Sequence, residues 1–519
     1  MLRSLLTIWL LATVPLSAQT GTAVAPAPTL IRVDTTGAGV LIDQALNHSA
    51  VMQNLQYLVD VIGPRLSGSE AMRRANDWTA ERFRGYGLSA SLEPFNFGVT
   101  WSRGPVTARL IAPFERAVVA HSWAWTAGTG GQELSGPVIR LDIVSMADIE
   151  ANRSLISGAW ILPSEPPSIW NPDGPEMTPA DSAAREEARR QRRARRGDRS
   201  PESREAARQF GIDLPYLLKN AGAHGMLRDG SKEFGLMTMS GSPNRVSPLP
   251  LLVIAHEDYA MLDRLIEMGQ VPRFAARVEN NLGDTMVMQW NTIGEIRGTD
   301  KPEEVVILGA HLDSWDLGTG TTDNGTGSMV VLEAARVIAQ SGLKPKRTIR
   351  FILFSGEEQG LLGSRAYAAA HAREADRIQA VLVLDNGTGR ILGQALQGRE
   401  ELEGLWRDLL VPVASLGADR VRDANKGGTD HLAFLPYGVP GFNFDQESRG
   451  YGHTHHSQID TYDHAVPGDL MQASAVMAVT AYELANLPEL LPRGETTEVV
   501  APAPAVPSPG LGIAASSER

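Results

Sequence analysis

The chain has 519 residues, 43% of them hydrophobic and 21% charged, with 51 glycines and a formal net charge of −12 at pH 7. That length allows two or three domains of about 150 residues each, and the acidic balance argues against nucleic acid or an anionic membrane as a partner of the whole molecule, leaving a small or cationic substrate open. It contains no cysteine, which excludes disulfides, cysteine nucleophiles, thiolate metal sites and lipidation on cysteine.

At the N-terminus, Arg3 precedes an apolar run over 5–16 and the small residues Ser17 and Ala18. This reads as a cleaved secretory signal over 1–18, because roughly a dozen apolar residues are too few to span a bilayer. The protein is therefore expected to be secreted or periplasmic, with no stable membrane anchor after cleavage. Residues 19–39, rich in Ala, Pro, Thr and Gly, read as a linker. Apolar residues from Ile42 to Ile62 recur at helical spacing until Gly63-Pro64 stops them, and a second helix is expected over 70–86. Strand-like segments follow at 89–97 and 106–111. Over 131–275 a self-contained α/β pattern (GPVIRLD, GAWILPS, LPYLLKNAGAHGMLRDG) reads as a smaller domain inserted between 40–130 and 276–492. Within it, ten arginines lie between Arg185 and Arg208 among Glu186, Glu187, Glu202 and Glu205. Interspersed acids make this a solvated helix or loop rather than a basic binding surface. Residues 493–519, with PAPAVPSPG and few large apolar side chains, are expected to be disordered.

The stretch 305–358 organises the rest. VVILGAHLDSWD runs an apolar strand into His311 and Asp313, TTDNGTGS brings Asp323, and IRFILFSGEEQG ends in Glu357 and Glu358, with a helix (SMVVLEAARVIAQ) crossing between. Runs this apolar read as buried strands of a parallel sheet, whose chemistry gathers at the carboxyl edge. A third strand, QAVLVLDNG, ends in Asp385, and a fourth, GVPGFNFD, leads to GYGHTHHSQIDTYDH. The fold class is α/β: a mixed, mostly parallel central sheet flanked by helices, with the inserted smaller domain. One Asp after a strand is ordinarily a turn or capping residue; four strands all leading into His, Asp and Glu are not.

Nitrogen and oxygen donors without sulfur suit zinc, and less exclusively cobalt or manganese. Two histidines and three carboxylates exceed what one catalytic zinc with an open position needs, but suffice for two metals about 3.5 to 4 Å apart if one carboxylate bridges them. A further carboxylate must then take a proton from the attacking water, and Glu357-Glu358 can supply ligand and base together. Asp313, two residues after His311, is placed to orient that imidazole.

With VIGPRLSGSE, NTIGEIRG, GAHLDSWDLGTGTTDNGTG, FSGEEQGLLGS, VLDNGTG, GGTDHLAF and HHSQIDT on the page, the chain over roughly 40–490 resembles the co-catalytic di-zinc exopeptidases of the aminopeptidase and plasma glutamate carboxypeptidase (carboxypeptidase Q) type, with an inserted protease-associated domain. The resemblance implies two Zn2+, with Co2+ or Mn2+ as substitutes. Asp323 would bridge, His311 and Asp385 would complete one site, Glu358 and His456 the other. Glu357 would be the general base, and Asp313 the residue behind His311 that orients its imidazole. Among His453, His455 and His456, the last stands at the family spacing before Asp460-Thr461. Asp430 and His431 are expected to support the pocket. Asn324 departs from the acidic residue the family commonly has there, and Gly427-Gly428 stand where some relatives place a tyrosine. Tyr451 is the candidate substitute, with simple packing as its plainer role. The sequons at Asn324 and Asn386 adjoin proposed ligands, where a glycan would obstruct the cleft.

The expected activity is metal-dependent hydrolysis of terminal peptide bonds of short peptides, by aminopeptidase or dipeptidase action. Carboxypeptidase action, a non-catalytic receptor-like binding protein of this fold, and a single-zinc cyclase are the competing readings. A homodimer is left open.

Overall fold

The computed structural model describes residues 37–167, 169 and 200–497. The expected signal, the linker up to residue 36, residues 185–199 of the arginine-rich run and the tail from 498 lie outside the described residues.

Two eight-stranded sheets organise the chain. The first has the order Ser89–Ser102, Asn281–Ile296, Arg347–Phe354, Lys301–His311, Ile378–Val383, Gly441–Gln446, Ile391–Ala395, Arg420–Arg422. Its centre is parallel: Lys301–His311 runs with Arg347–Phe354 on one side and Ile378–Val383 on the other, and Ile378–Val383 runs with Gly441–Gln446. The outer pairings of Asn281–Ile296 with both its neighbours, and of Ile391–Ala395 with Gly441–Gln446, are antiparallel. The mixed sheet flanked by helices is the fold the apolar runs imply.

Alternation within the central strands decides what packs on each face. Val306, Leu308 and Ala310 join Phe351, Leu353, Leu382 and Phe442 in a core covered by the helices Ala38–Asn47, Glu70–Gly85, Thr326–Gln340 and Pro467–Asn486. Val305 and Ile307 face the other way, onto Phe354, Tyr367 and Phe434. Helix Thr326–Gln340 is buried on all sides through Ile338, so its charged residues need internal partners. Glu333 takes Arg336 at 2.7 Å and the Ala50 amide at 3.0 Å. That same bond divides the expected helix over 42–62: Ala38–Asn47 stops, and a new helix starts at Val51 once the Ala50 amide is turned to Glu333. Helix Glu70–Gly85 begins on Ser69, whose hydroxyl accepts from the Met72 amide, and carries Arg82 and Arg84 in its last turn, both favourable to its ends.

The second sheet lies within residues 106–278 and has its own apolar core around Trp160, Leu227, Leu252 and Phe274. Val106–Ala112 pairs antiparallel with Arg273–Val278, so this sheet draws on chain from before residue 131 as well as after it. Of the arginine-rich run, residues 201–208 lie in helix Pro201–Asn220, where Arg208 pairs with Glu205 one turn away.

Leu308 is fully buried between Phe351 and Leu382. Leu308→Ala should cost about 3 kcal/mol, the usual loss when a packed leucine is truncated, and lower the Tm in a thermal melt. An unchanged Tm would show that this position is not close-packed.

Candidate metal centre

The four parallel strands end at one edge, and each hands its following loop to the same place. His311 is the last residue of Lys301–His311, in register with Phe354. Three residues beyond Phe354 the chain reaches Glu357. Asp385 follows Ile378–Val383 by two residues, and the loop after Gly441–Gln446 carries the short helix Tyr451–Thr454 with His455 and His456 behind it.

Five predicted residues meet there. The His311 Nε2 lies 3.5 Å from Asp323 Oδ1 and 3.5 Å from Asp385 Oδ1. On the other side of Asp323, His456 Nε2 is 3.4 Å from Oδ2 and 2.9 Å from Glu358 Oε2. His311, Asp323 and Asp385 offer ligand atoms within 4.8 Å of one another, and so do Asp323, His455 and His456, so Asp323 is common to both groups. His453 is exposed and in neither group. His455 stacks on His456 at 3.8 Å and sits 3.9 Å from Asp323, more exposed than its neighbour.

Asp313 works differently from the expected way. The His311 Nδ1 faces the backbone carbonyl of Asp313 at 3.0 Å, with the carboxylate at 3.6 Å. Donation to that carbonyl fixes the ring with Nε2 turned toward the Asp323 and Asp385 carboxylates. The Asp313 carboxylate meanwhile accepts from the Glu357 and Glu358 amides and from the Ser67 hydroxyl at 3.1 Å. It holds the turn that presents both glutamates.

Asp460 serves the other loop. Its carboxylate accepts from the Thr322 amide at 2.6 Å, the Thr322 hydroxyl at 2.8 Å and the Asp323 amide at 3.1 Å. Arg65 is fully buried, with no carboxylate in contact among the described residues; its guanidinium donates to the carbonyls of Leu312, Thr319, Gly320 and Gly63. Gly320, at φ +63°, lies so close that a side chain there would strike Ser314 and the guanidinium. Burial lowers the Arg65 pKa to about 10, which leaves it charged at neutral pH.

Burial dominates the remaining electrostatics. It raises Glu357 and Glu358 well above the carboxylate range and pushes Asp430 and Asp460 up to about 7. Burial alone would raise Asp323 too, but the neighbouring imidazoles of His311 and His456 hold it low. His311 rises against its burial because Asp385, Asp313 and Asp323 surround it. His456 is lowered by burial.

The donor set fits zinc. His311 Nε2, Asp323 Oδ2, Glu358 Oε1 and Asp385 Oδ1 are buried and have no hydrogen-bond partner among the described residues. Single orphans of this kind are costly and rare; four aimed at one small space are accounted for by cations bound to nitrogen and oxygen ligands.

The pocket candidates separate. The Tyr451 hydroxyl donates to Asp323 Oδ1 at 2.9 Å, so this tyrosine reaches the site while its ring packs over Gly387. His431 is turned away, with Nε2 3.1 Å from the Lys426 carbonyl. Asp430 is fully buried and adds to the charge that raises Glu357. Asn324 is buried, donating to the Leu384 carbonyl at 2.9 Å and accepting from the Gly327 amide at 3.0 Å. An ionised acid could not make the first bond, and the burial of Asn324 leaves no access for a glycan.

Sequence reasoning assigned no role to Arg65 or Asp460. Asp460 served only as a spacing marker, and an arginine after Gly63-Pro64 carries no local sign that it will be enclosed by carbonyls. Asp460→Ala should weaken zinc binding roughly 10–100-fold, the usual effect of removing a group that orients a ligand. Titration with chelator-buffered zinc measures this, and wild-type affinity in the variant would remove Asp460 from the centre.

Residues 291–481, which include every residue of both groups, match the model of Peptidase family M28. Carboxypeptidase Q of Bos taurus is 28% identical over 447 residues, covering 85% of this chain and 86% of its own. A crystal structure described as a Peptidase M28 precursor from Shewanella amazonensis superimposes with a TM-score of 0.70 at 25% identity, over 88% of this chain and 98% of that one. A zinc aminopeptidase from Bacillus subtilis shares the fold, with a TM-score of 0.59 at 22% identity over 83% and 94% of the two chains.

Proposed function

We propose, from a chain whose residues 291–481 form a Peptidase family M28 region, that the protein is an exported metallo-exopeptidase cleaving terminal peptide bonds of short peptides with two zinc ions. The observation that carries this is one carboxylate, Asp323, shared by two groups of ligand atoms, with Glu358 2.9 Å from His456 and the adjacent Glu357 offering a further carboxylate. In this reading His311 and Asp385 hold one ion, Glu358 and His456 the other, and Asp323 both. The zinc of the Bacillus relative supports the metal, and the acid–histidine chemistry admits cobalt or manganese.

Zinc bound there would polarise the scissile carbonyl and acidify a water. The chain's own residues do the rest. Glu357 takes the proton from the attacking water and returns it to the leaving amine. The desolvation that raises its pKa suits a group that must both accept and release a proton. Asp313 fixes its backbone through the Glu357 amide at 3.2 Å. The Tyr451 hydroxyl, 2.9 Å from Asp323, would donate to the carbonyl oxygen as charge develops on it. Trp315 packs edge-on against His456 with ring centroids 5.9 Å apart.

Export rests on Arg3 and the apolar run over 5–16; no described helix is long and apolar enough to cross a membrane. The second sheet is read as a protease-associated-like domain. Aminopeptidase or dipeptidase action is preferred. Carboxypeptidase action is the second reading, favoured by the name of the Bos taurus relative.

Glu357→Gln should reduce kcat on an unblocked dipeptide by at least roughly 100-fold while zinc content, measured on the purified protein, stays at the wild-type value. Near-normal turnover would show that another group is the base. Chelation should abolish cleavage and added zinc restore it; cleavage that survives complete removal of metal would reject the metallopeptidase reading.

A further inference from the structure

The loop after strand Gly225–Asp229 of the second sheet reaches across to the segment that carries His456. The Met239 amide donates to the His456 carbonyl at 2.8 Å, the Met237 amide to Gln458 Oε1 at 3.0 Å, and Gln458 Nε2 to the Gly235 carbonyl at 3.1 Å. The base of the loop is held too: Asp229 pairs with His256 Nδ1 at 2.9 Å and accepts from the Ser231 amide at 2.6 Å. Lys232 stands on this braced loop, half-buried, with its Nζ 2.6 Å from the Gly452 carbonyl.

Among the described residues, Arg65 and Lys232 are two cations that border the acidic centre. Arg65 is enclosed and its N–H groups are given to backbone carbonyls. Lys232 is the other, its ammonium on the carbonyl of Gly452, the residue after Tyr451, whose hydroxyl reaches Asp323. Among the described residues, no carboxylate lies within ion-pair distance of its ammonium, in contrast to Lys426, which meets Asp445 at 3.1 Å. Burial costs an ammonium that lacks an anion, and here it lowers the Lys232 pKa. One carbonyl uses one of its three donors, so the group is fixed in place yet still able to take a ligand.

We propose that Lys232 reads the free α-carboxylate of the peptide, so that the centre is specific for substrates whose carboxyl terminus lies one residue beyond the scissile bond. This rests on the exopeptidase reading. A site lined by this many carboxylates repels a terminal carboxylate unless a cation receives it. One residue spans at most ~3.6 Å, so in a dipeptide the carboxylate falls at the rim of the centre, whereas an extended carboxyl-terminal chain carries it out of reach. The second sheet thereby contributes to specificity rather than only covering the cleft.

The test compares kcat/KM for an unblocked apolar dipeptide and for its carboxyl-terminal amide, using the zinc-loaded full chain. Wild type should prefer the acid by roughly tenfold or more, the usual worth of a hydrogen bond to a charged group. In Lys232→Ala the acid-to-amide ratio should fall to near one, mainly through KM for the acid. Lys232→Glu should invert it, and Lys232→Arg should keep the acid preferred, with zinc content unchanged throughout. A wild-type enzyme that cleaves both substrates equally well, or a ratio unchanged in Lys232→Ala, overturns the assignment while leaving the exopeptidase reading intact. A zinc-loaded wild type that cleaves neither substrate overturns both.

Discussion

Seven carboxylates, from Asp313, Asp323, Glu357, Glu358, Asp385, Asp430 and Asp460, converge on the edge where four parallel strands end, and the rest of the structure answers to that concentration of negative charge. Taking so many acids out of water is unfavourable unless each is paired, protonated or bound to a cation. The protein meets this in three ways. Asp313 and Asp460 are satisfied by backbone amides. Asp323, Asp385 and Glu358 face imidazoles. Arg65 supplies an internal positive charge that needs no carboxylate of its own because carbonyls solvate it. The unpaired atoms on His311, Asp323, Glu358 and Asp385 are ones a divalent cation would take.

The two amide-bonded aspartates connect the scaffold to the chemistry. Asp313 ties the loop after Lys301–His311 to the turn bearing Glu357 and Glu358, and Asp460 ties the loop bearing Asp323 to the one bearing His456. Each therefore couples two loops from different strands, which is how side chains far apart in the chain acquire a common geometry. Arg65 adds a third tie, joining the turn after the first helices to residues 312 and 319–320.

The second sheet takes part in the same arrangement. Its loop over 231–239 is hydrogen-bonded to residues 452–458, so the carbonyl of His456 is fixed from one sheet while its ring faces acids carried by the other. His456 holds a left-handed backbone conformation at φ 56°, unusual for a residue with a side chain. Such a conformation persists where its surroundings enforce it, and here bonds from the second sheet help to do so.

Much of this was legible in the chain alone. The apolar runs ending in His311, Phe354, Val383 and Gln446 announce buried parallel strands, because only strands covered on both faces read as continuously apolar. The residues that follow them announce ligand chemistry, because catalysis gathers at that edge. Helix limits were less legible: the helical period over 42–62 runs on past the point where Glu333, almost three hundred residues later, takes the Ala50 amide and ends the first helix. The tertiary structure alone decided that Asp313 steadies the glutamates through its carboxylate and His311 through its carbonyl, that Tyr451 reaches Asp323, and that Arg65, Asp460 and Lys232 border the centre. Local sequence determines which segments are strands and what they carry. Burial and long-range hydrogen bonding determine what each side chain faces, and these depend on residues brought together only when the sheet forms.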